Sequence, residues 1–451
     1  MGKYFGTDGV RGLANAQLTP ELAFKLGRCG AARLMKEGGK PFIVLGRDTR
    51  RSGTMLEAAL AAGICSVGVD VRRLGVATTP AVAWVTKRYG ALAGVMISAS
   101  HNPAPDNGIK FFSKEGFKLP DITENEIEEL IDASRDELPH PSGSGIGVVT
   151  DDSSLLEDYI RFAVSILPSG LKGLKVAVDC ANGAAYRIAP QVLRELGAEV
   201  TVLGDRPDGD NINLGCGSTY LEALAGEVVR GPYDLGLAFD GDADRLLAVD
   251  SDGNAIDGDK IMLICYKHLR RHGLLRSPSL VSTVMSNFGL EKAIEEEGGK
   301  LIRARVGDRY VLEEMLARDI RIGGEQSGHV IFLDHNTTGD GLITALRLLS
   351  ALRDSGRTLH ELASEMKKFP QLLKNLRVSD TRGWEENKKI KAAIAQGEKE
   401  LGTDGRLVVR ASGTEPLLRV MAEGNDQSEI ERIVDHILKV MAEELLHPVA
   451  R

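Results

Sequence analysis

Short apolar runs alternate along the chain with stretches whose apolar residues recur at helical spacing. The apolar runs end in polar loops and precede amphipathic segments, a pattern that predicts strands followed by helices. Three such pairs are expected at residues 42–50 and 53–66, 175–183 and 187–196, and 279–287 and 288–297. Strands that alternate with helices are typical of layered α/β proteins, so we expect three related α/β units.

The C-terminal part of the chain has a different pattern. Two short apolar strands flank residues 411–416, and a long amphipathic helix is predicted at about residues 427–446. Pro370 would end the helix before it, and the other candidate linkers are polar or rich in Pro, Gly and Ser. Linkers are therefore expected near residues 139–147, 250–259 and 369–375.

Three aspartates at alternate positions follow the predicted buried strand 235–239. Asp240, Asp242 and Asp244 would repel one another unless a cation lies among them, and carboxylate oxygens suit a hard ion such as Mg²⁺. An EF-hand is excluded, because Arg245 occupies the position that requires Gly. A metal-binding loop is the favoured interpretation, with a solvated acidic turn as the alternative.

A second apolar strand, within residues 92–97, breaks into the segment SASHNP. Ser100 stands in this loop beside His101, so it is a candidate exposed nucleophile that the histidine could orient. The Gly-x-Ser-x-Gly pattern of a hydrolase is absent around Ser100. An ordinary polar loop is the alternative for this segment taken alone.

The third polar segment, RASGTEP, lies between the two C-terminal strands. Its small residues would let backbone N–H groups and hydroxyls converge on an anion, and Arg410 and Arg419 could supply charge. A hairpin loop with solvated arginines is the alternative. A metal loop, a serine and a phosphate cradle together indicate phosphoryl transfer.

Six motifs in this order make the chain similar to the α-D-phosphohexomutase superfamily. They are YFGTDGVRG at 4–12, SASHNP at 98–103, NGIKFF at 107–112, DGDADR at 240–245, GGEQSGH at 323–329 and RASGTEP at 410–416. Within the superfamily, the opening motif, Gln326 and VMSNFGLE at 284–291 resemble the members that act on glucosamine phosphate.

The resemblance implies an α/β fold of three related mixed α/β domains plus a smaller C-terminal α+β domain around a central cleft. The expected domains carry, in order, the phosphoserine loop, the metal loop, the sugar-recognition loop and the phosphate-binding loop. They are expected at residues 1–148, 149–254, 255–369 and 370–451.

The resemblance also implies roles for individual residues. Ser100 would be a phosphoserine whose phosphate contributes one oxygen to Mg²⁺ beside the three aspartates. Lys110 is expected to have a pKa lowered by partial burial, which would make it a proton carrier. The candidate catalytic residues are Ser100, His101, Lys110, Arg11, Arg245 and His329. The candidate substrate-binding residues are Glu325, Ser327, Arg410, Ser412, Gly413, Thr414 and Arg419.

The implied reaction interconverts glucosamine 6-phosphate and glucosamine 1-phosphate and feeds amino-sugar nucleotide and cell-wall precursor synthesis. Glucosamine 1,6-bisphosphate would be the intermediate and primer. The expected partners are a hexosamine phosphate, a second copy of the chain in a homodimer, and a kinase or autophosphorylation that activates Ser100. Three alternatives stay open: a phosphomannomutase or phosphoglucomutase, a haloacid-dehalogenase-like phosphatase with Asp240 as nucleophile, and a sugar-phosphate sensor.

Composition limits the location and the partners. The 451 residues are 43% hydrophobic and 27% charged, with a net charge of −8, which argues against nucleic acid or an anionic membrane as a partner. The five cysteines are widely spaced without a C-x-x-C pair, as in reduced cytosolic proteins. The sequence shows neither a secretion signal nor a membrane-length apolar run, so we expect a cytoplasmic protein.

Overall fold

The computed structural model describes residues 2–6, 8–35, 40–412 and 416–446. These residues fall into two compact units. One contains the chain up to Thr283 together with Ile302–Ser364, and the other contains Val284–Leu301 and the chain from Glu365 onwards. No helix in the described ranges is both long and apolar enough to cross a lipid bilayer.

A six-stranded mixed sheet opens the first unit. Its strands are β1 (Val10–Leu13), β2 (Lys40–Arg47), β3 (Asp70–Val76), β4 (Ala91–Ile97), β5 (Asp106–Ser113) and β6 (Val149–Asp151), in the spatial order β1-β5-β4-β2-β3-β6. Strands β3, β2 and β4 are parallel, whereas β5 is antiparallel to both β4 and β1. The accompanying helices are α1 (Pro20–Leu34), α2 (Arg51–Cys65), α3 (Thr79–Tyr89) and α4 (Asp121–Asp132). All seven residues of β4 are buried, which explains its continuous apolar run.

The second sheet has five strands in the order β11-β10-β9-β7-β8. They are β7 (Lys175–Asp179), β8 (Glu199–Leu203), β9 (Leu235–Phe239), β10 (Leu246–Asp250) and β11 (Ala255–Ile256). Helices α5 (Ser154–Ser165), α6 (Ala185–Glu195) and α7 (Glu222–Arg230) accompany it. Strand β9 has the bounds predicted from the sequence, and its five residues are all buried.

The third sheet has the order β13-β12-β14-β15. Its strands are β12 (Ser279–Thr283), β13 (Lys300–Ala304), β14 (Ile322–Gly324) and β15 (Val330–Phe332). The helices of this part are α8 (Gly258–Arg271), α9 (Phe288–Glu296), α10 (Asp308–Ala317), α11 (Gly341–Ser355) and α12 (Leu359–Ala363). Helix α9 follows β12 as predicted, but it belongs to the second compact unit.

An antiparallel sheet with the order β16-β18-β17 dominates the second unit. Its strands are β16 (Gln371–Arg377), β17 (Arg406–Ala411) and β18 (Leu417–Glu423), and its helices are α13 (Lys388–Leu401) and α14 (Gln427–Leu445). Helix α14 confirms the predicted C-terminal helix. The predicted linker at 369–375 is wrong from Gln371 onwards, because these residues pair with β18.

Candidate active site

The loops that follow β4 and β9 bring Ser100 against the aspartate-rich segment. The Ser100 hydroxyl donates a hydrogen bond to Asp240 Oδ2 at 2.6 Å. Ser100 is only 1% exposed, so the expectation of a surface-exposed nucleophile is wrong. It nevertheless lines a cavity that opens to solvent.

A glycine allows the two loops to approach closely. A Cβ atom at Gly241 would lie 2.5 Å from the carbonyl oxygen of Ser100, closer than a carbon atom can approach a non-bonded oxygen. Glycine is therefore required at the second position of DGDADR for the aspartates to reach the serine.

The three aspartates form a buried cluster whose ligand oxygens lie within 4.8 Å of one another. Asp242 Oδ1 and Asp244 Oδ1 are buried and accept no hydrogen bond from the described residues. Burial, together with Asp244 and Asp242, raises the pKa of Asp240 well above its ordinary value. Unsatisfied buried carboxylate oxygens are costly, and a divalent cation would both satisfy them and remove their repulsion. The donor set fits such a cation.

Lys110, on β5, points into the aspartate cluster. Its Nζ lies 2.9 Å from Asp242 Oδ2, 3.0 Å from Asp8 Oδ2 and 3.9 Å from Asp244 Oδ2. Burial opposes the charged form of Lys110, but these three carboxylates outweigh it and raise the pKa of the lysine above its ordinary value. The predicted lowering of this pKa is therefore wrong, because the prediction considered burial without the neighbouring charges.

A second group of charges, which the sequence analysis did not select, lies beside the cluster. Lys118 Nζ is 2.5 Å from both Asp8 Oδ1 and Asp308 Oδ2, and Arg11 also pairs with Asp8. Asp8 lies inside the motif YFGTDGVRG and could have been noticed there. Lys118 and Asp308 are 190 residues apart, and neither lies in a motif that would reveal the contact.

Two histidines reach the cavity. His101 Nδ1 is 3.3 Å from the Ser100 hydroxyl, and burial, then Arg245 and Arg11, lower the pKa of His101. His329 is buried, with Nδ1 3.5 Å from Asp244 Oδ2, and its Nε2 accepts a hydrogen bond from the backbone N–H of Gly339 at 3.1 Å.

The cavity has a volume of about 400 Å³, within the range of small-molecule sites. Its lining unites five of the predicted catalytic residues with Glu325 and Asp308; the predicted ones are Arg11, Ser100, His101, Arg245 and His329. Lys110 is not part of this lining, but it forms ion pairs with Asp242 and Asp8 beside it.

Ser327 does not share this cavity. Glu325 and Ser327 stand at alternate positions, which an extended strand would place on one side, but β14 ends at Gly324. The backbone N–H of Gly328 donates to the carbonyl of Glu325 at 3.0 Å, so residues 325–328 form a turn. Glu325 lines the cavity and accepts a hydrogen bond from the Gly307 N–H at 3.1 Å, whereas Ser327 is exposed on the turn.

The C-terminal candidates lie in the second compact unit. Arg410 on β17 stands directly opposite Arg419 on β18, and Arg419 Nη2 is 3.4 Å from the Ser412 hydroxyl. Burial and then Arg419 lower the pKa of Arg410. Opposed like charges are unfavourable across a strand pair, so this arrangement is suited to an anion. Gly413 and Thr414 lie outside the described residues.

Four family models match the chain. They are the α/β/α domains I, II and III and the C-terminal domain of phosphoglucomutase/phosphomannomutase, and they match residues 2–137, 157–253, 257–369 and 373–440, respectively. The chain belongs to the phosphoglucomutase/phosphomannomutase family. The predicted fold class, with three α/β domains and a different C-terminal domain, is thereby confirmed.

Curated relatives in this family match along nearly the entire chain. A phosphoglucosamine mutase of Desulforamulus reducens is 55% identical over 98% of this chain and 99% of its own length. A phosphoglucosamine mutase of Bacillus subtilis is 54% identical over 99% of each chain. The family membership makes the chain an enzyme of the phosphohexomutase class, as the resemblance implied.

Solved structures of the family share its fold. A phosphoglucomutase/phosphomannomutase family protein from Burkholderia thailandensis has a TM-score of 0.82 and 25% identity, covering 98% of this chain and 97% of its own. The N-acetylphosphoglucosamine mutase of Aspergillus fumigatus, solved with GlcNAc-6P and magnesium, has a TM-score of 0.66 and 18% identity, covering 98% of this chain and 95% of its own. The second likeness concerns the fold alone.

Proposed function

We propose that this enzyme interconverts glucosamine 6-phosphate and glucosamine 1-phosphate. The observation that carries the proposal is the 2.6 Å hydrogen bond between Ser100 and Asp240, in a buried carboxylate cluster at the wall of a cavity. This arrangement supports a phosphorylated serine beside a metal. The choice of glucosamine rests on the curated relatives, which are named phosphoglucosamine mutases at 54–55% identity.

Phosphoryl transfer begins on Ser100 in its phosphorylated form. The P–O bond to Ser100 breaks as a new bond forms to the free sugar hydroxyl, which yields glucosamine 1,6-bisphosphate. Asp240, Asp242 and Asp244, together with a phosphoserine oxygen, would hold Mg²⁺, which would supply positive charge to the phosphoryl group. After the bisphosphate has turned over, its other phosphate returns to Ser100, so the enzyme ends phosphorylated as it began.

The chain's own side chains supply the remaining functions. Lys110 holds Asp242 in place through its 2.9 Å contact. His101 and His329 are the candidates to carry the hydroxyl proton, because both line the cavity. Arg11 and Arg245 also line it and are suited to the phosphate near Ser100. All of these groups are pre-positioned, which favours the transition state.

Substrate recognition is divided between two segments. Glu325 faces the cavity from the GGEQSGH loop, as His329 does, and its carboxylate is suited to hydrogen bonds with sugar hydroxyls. Arg410, Ser412 and Arg419 are suited to the phosphate that does not react, because guanidinium groups bind phosphate through charge-assisted hydrogen bonds. Cytoplasmic location, a homodimer and activation by a kinase or by autophosphorylation stay predictions.

The test measures both the phosphate and the turnover. Peptide mapping by mass spectrometry should locate one phosphate on Ser100, and Ser100→Ala should lose nearly all mutase activity. The control is Ser165→Ala, an exposed serine at the end of α5, which should behave as the parent. A phosphate on Ser98, or full activity of Ser100→Ala, would contradict the proposal.

A coupled assay with three sugars tests the substrate. Glucosamine 6-phosphate should give a higher kcat/KM than glucose or mannose 6-phosphate in the same preparation. A higher value for glucose or mannose phosphate would identify the enzyme as a phosphoglucomutase or phosphomannomutase. Phosphate release by an active Ser100→Ala variant would instead favour a phosphatase with Asp240 as its nucleophile, and binding without turnover would favour a sensor.

A further inference from the structure

A buried ion pair lies directly behind the loop that carries Ser100. Asp48 and Arg50, in the segment GRDTR, have fully buried side chains, and Arg50 Nε is 2.9 Å from Asp48 Oδ2. The reaction described above assigns this pair no step. Burying two charges is expensive unless their hydrogen bonds are well satisfied, so the other partners of the pair indicate what it does.

Arg50 is directed at the backbone of the serine loop. Its Nη2 donates to the carbonyl oxygens of Ser100 at 3.0 Å and Asn102 at 2.8 Å, and its Nη1 donates to that of Pro103 at 2.5 Å. A guanidinium suits this task because its donors are fixed in one plane, so three carbonyl positions are set together.

Asn213 holds two of the same carbonyl groups from another segment. Its Nδ2 donates to the carbonyl oxygens of Ser100 at 2.9 Å and Asn102 at 3.1 Å. Its own backbone is left-handed, with φ of 58°, and its N–H donates to the carbonyl of Ala181 at 2.9 Å. Asn213 lies in the connection between β8 and α7, whereas Arg50 lies in the connection between β2 and α2. The serine loop is therefore held from connections of two different sheets.

Asp48 fixes the other side of the serine's backbone. Its Oδ2 accepts from the Ser98 hydroxyl at 2.6 Å, and the Ser98 oxygen accepts from the Ser100 N–H at 2.9 Å. The N–H and the carbonyl of Ser100 are therefore both tied to the ion pair, one through Ser98 and the other directly.

These contacts coincide with an unfavourable backbone conformation. Ser100 has φ of 52°, in the left-handed region that non-glycine residues rarely adopt. Such a conformation persists only where the surroundings over-determine it. In this conformation the Ser100 hydroxyl reaches Asp240.

We infer that Asp48, Arg50 and Asn213, the serine clamp, are positioning residues that hold Ser100 left-handed with its side-chain oxygen against the metal loop. The inference rests on the proposed function, because it assigns the clamp to the phosphoryl-transfer step. Arg50 and Asp48 are buried and lie outside the described cavity lining, so the clamp acts through Ser100 rather than on the substrate.

The clamp predicts a specific kinetic pattern. A displacement of about 1 Å at a reacting group can cost on the order of a hundredfold in rate. Arg50→Lys keeps the charge but cannot reach three carbonyls, so kcat should fall about a hundredfold. Asn213→Ala removes two neutral hydrogen bonds and creates no buried charge, so kcat should fall about tenfold. In both variants KM should change by less than about twofold, because substrate contacts are intact.

Arg51→Ala is the matched control. Arg51 is adjacent in sequence, but its side chain is 70% exposed and pairs with Asp210 on the surface. Its kcat and KM should equal those of the parent. If Arg50→Lys fails to fold, Asn213→Ala carries the test alone, since it leaves the ion pair complete.

A spectroscopic measurement separates positioning from general damage. In enzyme labelled with 15N-serine, the Ser100 amide signal should move in Arg50→Lys and Asn213→Ala and stay in place in Arg51→Ala. Parent-like kcat in both clamp variants, a loss that appears in KM, or an unmoved Ser100 signal would overturn the inference. If the parent enzyme itself carries no phosphoserine and shows no turnover, the proposed function fails, while the amide signal still decides whether the clamp holds Ser100.

Discussion

Replacing Lys118 by Met should destabilise the first compact unit in a pH-dependent manner. Lys118 Nζ bridges Asp8 and Asp308 at 2.5 Å each. Burial opposes ionisation of Asp308, but Lys118 and His329 outweigh it and lower the pKa of that carboxyl. Methionine keeps the length of the side chain and removes its charge, so both carboxylates lose this partner.

The structure sets the size of the effect. Removing one partner of a buried ion pair costs about 3–5 kcal/mol. Here each of the three side chains is about one-fifth exposed, and Asp8 keeps Arg11 and Lys110. We therefore expect the free energy of unfolding to fall by the lower value, about 3 kcal/mol, at pH 8. The free energy of unfolding of a protein this size falls by about 3 kcal/mol per M urea, so the urea midpoint should fall by about 1 M.

The sign of the pH dependence follows from the pKa shifts. In the parent, the lowered pKa of Asp308 gives stability that is present above the unfolded value of about 3.9 and lost as pH falls through the folded value. The raised pKa of Lys118 gives stability that is present below about 10.4 and lost only at higher pH. The stability that the Lys118–Asp308 pair contributes is therefore constant from pH 5 to 9. Without Lys118, the main cause that lowers the pKa of Asp308 is gone, so the loss of stability should be smaller at pH 5 than at pH 8.

Urea unfolding followed by circular dichroism at pH 5 and pH 8 tests this reasoning. Lys114→Met is the control, because Lys114 lies in the same hairpin, is 41% exposed and stands 4.0 Å from Glu115. Its stability should change by less than about 0.5 kcal/mol. The reasoning is refuted if the two variants have equal urea midpoints at pH 8. It is also refuted if Lys118→Met loses the same amount of stability at both pH values.

Three further substitutions test the remaining parts of the site. Asp242→Asn should weaken Mg²⁺ binding in calorimetric titration and lower turnover by orders of magnitude, since a carboxylate ligand becomes neutral; unchanged activity after EDTA treatment would contradict a metal role. Glu325→Ala should lower kcat/KM on glucosamine 6-phosphate through lost hydrogen bonds of about 1–3 kcal/mol each, whereas the exposed Ser327→Ala should match the parent. Arg419→Ala should lower kcat/KM by about ten- to a hundredfold, with phosphate on Ser100 and metal affinity unchanged; a normal kcat/KM would show that Arg419 does not bind the phosphate.

The sequence alone predicted the bounds of individual strands and helices. Strand β9 and helix α14 were predicted within one residue of their observed ends, because apolar periodicity reports which residues are buried in a single element. The sequence also predicted the aspartate loop. Three carboxylates within five residues, directly after a buried strand, favoured a cation-binding loop over a solvated acidic turn, and in the structure their oxygens lie within 4.8 Å of one another.

The tertiary structure alone decided which distant residues meet. Ser100 and Asp240 are 140 residues apart, yet a 2.6 Å hydrogen bond joins them. The pKa of Lys110 rises rather than falls, because the carboxylates around it come from two distant loops. The turn at 325–328 separates Glu325 from Ser327, which an extended strand would have kept on one side. Periodicity describes neighbours along one element, whereas charge pairing and backbone clamping depend on how elements pack, so these features required the fold.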